Sequence, residues 1–385
     1  MGYDFTLADV EYLASADGVD ALGRVDTLEL TTRTRLADIS WARTRFGDRT
    51  AMLVETVLAR RKAALKLDGA RDWLLTDDAV QQATPAVVAA HRARRLAGRV
   101  VHDVTCSIGA ELAALVGVAD TVIGSDLDAV RLAMAAHNVP AAHLLRADAL
   151  SPVTRGTTVV ADPARRSGGR RTHDPAMLQP PLPDLLDVYR GRELAVKCAP
   201  GLDFDALDWD GEVEVVSLDG GVREACLYSR GLAEPGVRRR AAVLRGDGAG
   251  FEITDKHDDD IPDRPPGEWI IDPDGAVVRA GLVRHYAAAH GLWQLDPRIA
   301  YLTGDAVPDG VRGFRILEQL KYTEKALRQT LARLECGSVE ILVRGVDADP
   351  AVLRPRLKLR GDRPLSVVLT RIGRTPVAFV CEPTR

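Results

Sequence analysis

The spacing of apolar and polar positions changes along this chain, and each change marks a different kind of structure. Up to about residue 95 apolar residues recur every three or four positions. Leu58–Lys66 (LARRKAALK) and Pro85–Leu96 (PAVVAAHRARRL) contain no turn residues, so this stretch reads as helices. From Arg99 short β-branched runs take over: RVVHDV, TVIGSD, HLLRAD, TTVVADP, ELAVKCAP, VEVVSL and ACLYSR. Between them lie Ala- and Leu-rich amphipathic segments such as DAVRLAMAAHN. Strands alternating with helices predict an α/β fold, a mostly parallel sheet covered on both faces. The LDGG step at Leu218–Gly221 predicts a hairpin at its end. Gly231–Pro266, with its glycines, prolines and the acidic run Asp258–Asp260, reads as a linker or an irregular stretch. A small α+β unit follows, with helices expected around Val277–Ala289 and Thr323–Leu334 and strands at SVEILVR, LSVVLTR and VAFVCE. The expected divisions are an N-terminal helical region at 1–96, an α/β domain at 97–231, and a linker with the α+β domain at 232–385.

Length and composition narrow the choices. At 385 residues the chain is long enough for two or three domains. With 46% hydrophobic and 28% charged residues it is composed like a globular protein, not a disordered one. No apolar run approaches the roughly 18 residues of a membrane span, so no membrane association is expected. The start, MGYDFTLADVEYLAS, lacks a basic segment and does not read as a secretory signal. Five cysteines at 106, 198, 226, 336 and 381, none in Cys-x-x-Cys spacing, argue against disulfides or a zinc ribbon. They point to a reducing, cytoplasmic setting with no metal site. Net charge is −4, so local clusters matter more than the total. Arg165, Arg166, Arg170 and Arg171 crowd one loop, and Arg354, Arg356, Lys358, Arg360 and Arg363 crowd the last domain. Such runs are commonly solvated faces; beside a reactive loop they suit phosphate contacts.

The candidate chemistry sits at three strand ends. The first strand runs into Asp103-Val-Thr-Cys-Ser-Ile-Gly109 directly before a helix, where open α/β sheets bind nucleotides against backbone amides. Small residues at 105, 107 and 109 allow close approach, and Gly109 alone is expected to take a positive φ. A strand end of this kind occurs in many α/β folds. The second strand ends in Gly124-Ser-Asp126-Leu-Asp128, about twenty residues on, where a carboxylate can accept from both hydroxyls of a ribose. Asp128 is expected to cap the following helix. The third ends in Arg-Ala-Asp148, placed to accept from an adenine amino group.

Together with His137-Asn138 and Ala161-Asp162-Pro163-Ala164-Arg165, these motifs resemble the class I S-adenosylmethionine-dependent methyltransferases. Within them the chain is similar to a bacterial family carrying a THUMP-like domain. Asp-Pro-Ala-Arg-Arg at 162–166, Arg-Ala-Gly-Leu at 279–282 and Leu-Lys-Leu-Arg-Gly at 357–361 carry that likeness. The resemblance implies a Rossmann-like methyltransferase sheet, a C-terminal THUMP-like α+β domain, S-adenosylmethionine as cofactor and RNA, a tRNA or rRNA, as substrate. The implied cofactor residues are Asp103, Thr105, Ser107, Gly109, Asp126, Leu127, Asp148 and Ala149, with Thr84 from a segment that also holds Gln82 and the His91–Arg92 pair. The implied catalytic residues are Asp162, Pro163 and Arg165.

Two departures from the family pattern matter. Ser107 stands where relatives usually have Gly, which puts a Cβ beside the methionine end of the cofactor. One proline follows Asp162 where amine-methylating relatives carry two and then an aromatic, which leaves Arg165 to stack on a base. Two chemistries stay open. Asp162 and the Pro163 carbonyl can hold an exocyclic amine, or Cys198 after the fifth strand, beside Lys197, can attack a pyrimidine. A non-catalytic RNA-binding protein on the same fold, and a methyltransferase for small molecules or proteins, are the alternatives.

Overall fold

The computed structural model describes residues 2–164, 166, 167, 170, 171, 174–207 and 209–383. It divides into two compact units. The first comprises Met1–Leu218, Arg223–Pro235 and Leu244–Ala249; the second comprises Asp219–Val222, Gly236–Val243 and Gly250–Arg385.

The first unit begins with six helices: α1 (Leu7–Ala14), α2 (Ala16–Asp26), α3 (Arg35–Phe46), α4 (Thr50–Ala63), α5 (Asp77–Gln82) and α6 (Ala86–Arg94). Thr6, Ser15 and Thr76 cap α1, α2 and α5 by accepting from backbone amides in the first turn. The helix expected at 58–66 begins earlier and stops at Ala63, where Arg60, Arg61 and Lys62 complement the C-terminal dipole. Leu13, Val25, Leu53, Val57 and Leu74 form a core that also takes in Ile108 and Met134 from the sheet's own helical layer.

The sheet follows: β1 (Val100–Asp103), α7 (Ala110–Leu115), β2 (Thr121–Asp126), α8 (Ala129–Asn138), β3 (His143–Arg146) and β4 (Thr158–Ala161). A two-residue ribbon, β5 (Arg166–Ser167) against β6 (Arg170–Arg171), precedes α9 (Leu182–Val188), β7 (Leu194–Cys198), β8 (Gly211–Leu218) and β9 (Gly221–Ser229). The order is β3-β2-β1-β4-β7-β9-β8. The pairs from β3 to β7 are parallel, and β9 runs antiparallel to β7. The expected hairpin is present: Asp219 (φ 51°) and Gly220 (φ 75°) both take the left-handed conformation that a tight two-residue turn requires. Strand order reverses between β1 and β4, so the carboxyl ends of these strands flank a switch point where open sheets bind ligands.

In the second unit the stretch expected as linker contains two strands, β10 (Arg239–Leu244) and β11 (Gly250–Thr254). Alternating apolar side chains in RRAAVL bury enough surface to override the surrounding glycines. Then come β12 (Trp269–Ile271), α10 (Gly275–Arg279), α11 (Val283–Ala289), β13 (Trp293–Asp296), β14 (Ile299–Gly304), β15 (Gly313–Lys321), α12 (Glu324–Arg333), β16 (Cys336–Val343), α13 (Pro350–Arg356), β17 (Arg363–Ile372) and β18 (Thr375–Pro383). The single helix expected over Val277–Ala289 is two, because Gly281 turns left-handed (φ 77°) after Ala280. A seven-stranded sheet, β13-β14-β12-β15-β18-β17-β16, is antiparallel except for β16 beside β17. Phe314, Val368 and Phe379 pack on one side of it, while Leu327 and Leu331 of α12 join Val367 and Leu369 in a separate cluster. Among the described residues no helix is long and apolar enough to cross a membrane.

Candidate active site

The carboxyl ends of β1, β2, β3, β4 and β7 open into one cavity of about 540 Å³, within the roughly 300–1,000 Å³ of small-molecule sites. Of the residues the sequence singled out, Thr84, Asp103, Thr105, Ser107, Asp126, Leu127, Asp148, Ala149 and Asp162 line it. Gly109 and Pro163 do not line it, and Arg165 lies outside the described residues.

The turn after β1 is built around carboxylates. Asp103, 2% exposed, accepts from the Thr105 amide at 3.0 Å. Burial pushes its carboxyl up to about 7, with the Thr105 hydrogen bond opposing and Glu111 and Asp162 adding to the rise. The expectation that Gly109 alone takes a positive φ is wrong. Gly109 does (φ 88°), and a Cβ there would meet Val139 Cγ2 at 3.0 Å; Ser107 does as well, at φ 49°. For a residue with a Cβ that conformation costs roughly 1–2 kcal/mol. It is held because the Ser107 amide donates to Asp126 Oδ2 at 2.9 Å. Oδ1 of Asp126 accepts from the Asp128 amide, also at 2.9 Å. An ionised carboxylate has about four acceptor positions, so two remain for a ligand. Asp128 caps α8 as expected, accepting from the Val130 and Arg131 amides at 2.8 and 3.1 Å. Asp148 is exposed at the rim, and Leu127, 59% exposed, adds apolar surface beside it.

His137 and Asn138 serve the scaffold. Asn138 Oδ1 accepts from the Leu74 amide at 2.7 Å, and its Nδ2 donates to the Leu74 and Ile108 carbonyls at 3.0 and 2.9 Å. His137 Nε2 lies 3.0 Å from the Asp72 carbonyl. These contacts tie the N-terminal helices to the turn that follows β1.

Asp162, at the end of β4, is fixed from two sides. Its amide donates to Thr105 Oγ1 at 2.7 Å, and its carboxylate takes the ammonium of Lys197. Lys197 is 8% exposed. Burial works against its charge, but Asp162, Glu224 and Glu111 together hold its pKa above the ordinary lysine value. Cys198, the next residue on β7, is 3% exposed, bonds to the Val196 carbonyl and does not line the cavity. Successive strand residues point to opposite faces. Downstream, Ala164 pairs with Gln179 through amide–carbonyl bonds of 2.8 and 3.1 Å, which brings Gln179–Pro181 to the wall and leaves the β5–β6 ribbon on the intervening loop.

Beneath the cavity lies an ionic chain that sequence reasoning missed. Arg92 of α6, 2% exposed, donates to both oxygens of Glu111 at 2.8 and 2.6 Å and to Glu224 of β9. Thr84 Oγ1 donates to Glu224 at 3.2 Å. Next to it, His91 meets Glu214 at 3.0 Å and Arg95 grips Glu212. The available signal was charge inside apolar runs, as in Gly211–Leu218 (GEVEVVSL), where every glutamate is buried.

A THUMP domain-like family matches residues 311–383, the stretch from just before β15 to the end of β18. Two proteins of Mycobacterium tuberculosis, strains H37Rv and CDC 1551 / Oshkosh, are uncharacterized S-adenosylmethionine-dependent methyltransferases. Each is 60% identical to this chain over 360 residues, 89% of this chain and 100% of the relative. The chain belongs to the S-adenosylmethionine-dependent methyltransferases. A crystal structure of a candidate methyltransferase from Porphyromonas gingivalis W83 shares the fold, with a TM-score of 0.74 at 18% identity and each chain covered over 100%. S-adenosylmethionine is accordingly this methyltransferase's cofactor, and the donor set fits it. The cavity joins free carboxylate acceptors and exposed apolar surface, which suit a nucleoside, to the acidic pair Asp103 and Asp162, which suits a cation.

Proposed function

We propose that this methyltransferase modifies a base in structured RNA, and that the acceptor is an exocyclic amine. The observation that carries the chemistry is Asp162. It stands at the cavity with its carboxylate held by a buried lysine, while Cys198 on the same sheet faces away from the cavity. In this reading Asp126 holds the ribose hydroxyls, Asp148 accepts from the adenine amino group, and Asp103, Thr105, Ser107 and Ala149 shape the remaining wall.

The cofactor supplies an already activated methyl group. The protein's part is to align the acceptor with it and exclude water. Asp162 accepts a hydrogen bond from the amine and, with the Pro163 carbonyl, aims its lone pair. Lys197 keeps the Asp162 carboxylate in one orientation. The arginines of the 165–171 loop, following Asp162 on the chain, meet RNA phosphates, and the THUMP-like unit contributes further affinity for RNA.

The test is mass spectrometry of nucleosides from the RNA of a strain lacking the gene. One amine-methylated nucleoside should be missing and return on complementation with the wild-type gene. Unchanged RNA nucleosides, with a methylated protein or small molecule lost in their place, would move the substrate out of RNA.

A further inference from the structure

Helix α3 is packed less than the other long helices of its unit. Of its twelve residues only Ala42 is buried, and Leu36 is 88% exposed. It rests on α4 through half-buried residues, Ile39, Trp41 and Phe46 among them. In and around it lie Arg33, Arg35, Arg43, Arg45 and Arg49, all exposed. Arg45 stacks on Trp41 at 3.9 Å and Arg49 on Tyr12 at 3.8 Å. Among the described residues none of the five makes an ion pair. Other arginines of the unit do: Arg61 with Asp26, Arg131 with Asp78 and Asp128, Arg190 with Asp187.

A groove of about 620 Å³ runs along the foot of this helix. Arg35, Ile39 and Arg43 line its α3 side, a row made by the four-residue helical repeat. Asp48 and Glu55 stand on the α4 side. Asp38 accepts from the Leu30 amide at 2.9 Å and so shapes the turn before the helix. Like charges brought together without partners repel, and a helix with so little buried surface has little else to offset that. A polyanion laid along it removes the repulsion. Guanidinium groups suit phosphate because their planar fork offers paired donors.

We propose that α3 is a docking surface for the phosphate backbone of the RNA substrate. The inference rests on the RNA reading of the function and locates where that substrate lies. Phosphates take the arginine side, and Asp48 and Glu55 leave acceptors for base amino groups. The surface connects to the active site through packed helices: α3 lies on α4, α4 on α5, and α5 gives Ala79 and Gln82 to the cavity wall.

The experiment uses the full chain and a fluorescein-labelled RNA hairpin, with anisotropy recorded over a salt series. Replacing Arg35 and Arg43 together by Ala should weaken binding at least about fivefold and flatten the log–log salt slope by up to about 1.4, or 0.7 per lost phosphate contact. Arg35→Lys with Arg43→Lys, which keeps both charges, should restore most of the slope. Salt-dependent binding by the wild type that is untouched in the Ala pair would overturn the docking surface and leave the RNA reading standing. The same would follow if the Lys pair lost as much as the Ala pair. A wild-type chain that shows no salt-dependent binding would overturn the RNA reading, and this inference with it.

Discussion

Arg92 in the first unit lies 2% exposed between Glu111 and Glu224, whereas Arg363 in the second meets Glu382 with the two side chains 45% and 42% exposed. Arg356 with Glu324 and Arg312 with Glu340 repeat the exposed arrangement. The residue types are the same, but solvent changes what each pair does. Water screens the exposed pairs and competes for them, so their net contribution is small. The buried chain is different because each charge depends on the next for the hydration it gave up. It joins α6, the start of α7 and β9 beneath the cavity, with Thr84 bonded into it. Charge in this unit holds the floor of a reactive site, while the paired charge of the second unit's surface is mostly solvation.

Breaking that contrast should give its largest effect at Arg92. Arg92→Met strands two buried glutamates, and the first unit should lose about 3–5 kcal/mol of stability, measured by urea denaturation. A loss under about 1 kcal/mol would show that the chain does no more than the surface pairs.

The next effect is a pH slope. Asp103, pushed up to about 7 by burial, binds its proton more tightly folded than unfolded. The folded state is therefore favoured at low pH, and that advantage is lost as pH rises from about 4 to about 7. Asp103→Asn has no such titration. Its stability relative to wild type should improve across this window by up to about 1.4 kcal/mol per pH unit. Parallel denaturation profiles for the two proteins would contradict the burial argument.

Asp126→Asn keeps one side-chain oxygen for the turn amides but loses the charge proposed to meet the ribose. Cofactor affinity measured by calorimetry should fall about tenfold or more, because hydrogen bonds to charged groups contribute roughly 1.5–3 kcal/mol. Unchanged affinity in the folded variant would remove Asp126 from the cofactor set. At the small end, Arg363→Ala should change stability by no more than about 1 kcal/mol. A larger loss would mean that the second unit also relies on its charge pairs.

Much of the first unit was legible because its signals are local. The β-branched runs, the Asp-Gly turn at Asp219–Gly220 and the three acidic strand ends each need only a few neighbouring residues to be read. The ionic chain was not legible. Arg92 and Glu224 are 132 positions apart, and the alternation of Glu212 and Glu214 in β8 looks like a solvent face until α6 covers it. Ser107 escaped for a related reason: its left-handed turn is held by Asp126, 19 residues away. In the second unit the three long C-terminal strands were clear. The shorter β10–β14 were masked by glycine and proline, whose local preference is overridden only once the sheet buries their neighbours.

The central claim is that Asp162 acts on the acceptor and not on the cofactor, and one paired measurement tests it. Asp162→Asn and wild type are compared for S-adenosylmethionine affinity by calorimetry. Both are then compared for transfer of a labelled methyl group to RNA from a strain lacking the gene, followed by identification of the labelled nucleoside. The account predicts cofactor affinity within about twofold of wild type, transfer reduced about a hundredfold or more, and the wild-type label on an exocyclic amine. An Asp162→Asn protein that transfers at the wild-type rate, or a label on pyrimidine carbon that disappears in Cys198→Ala, would contradict it.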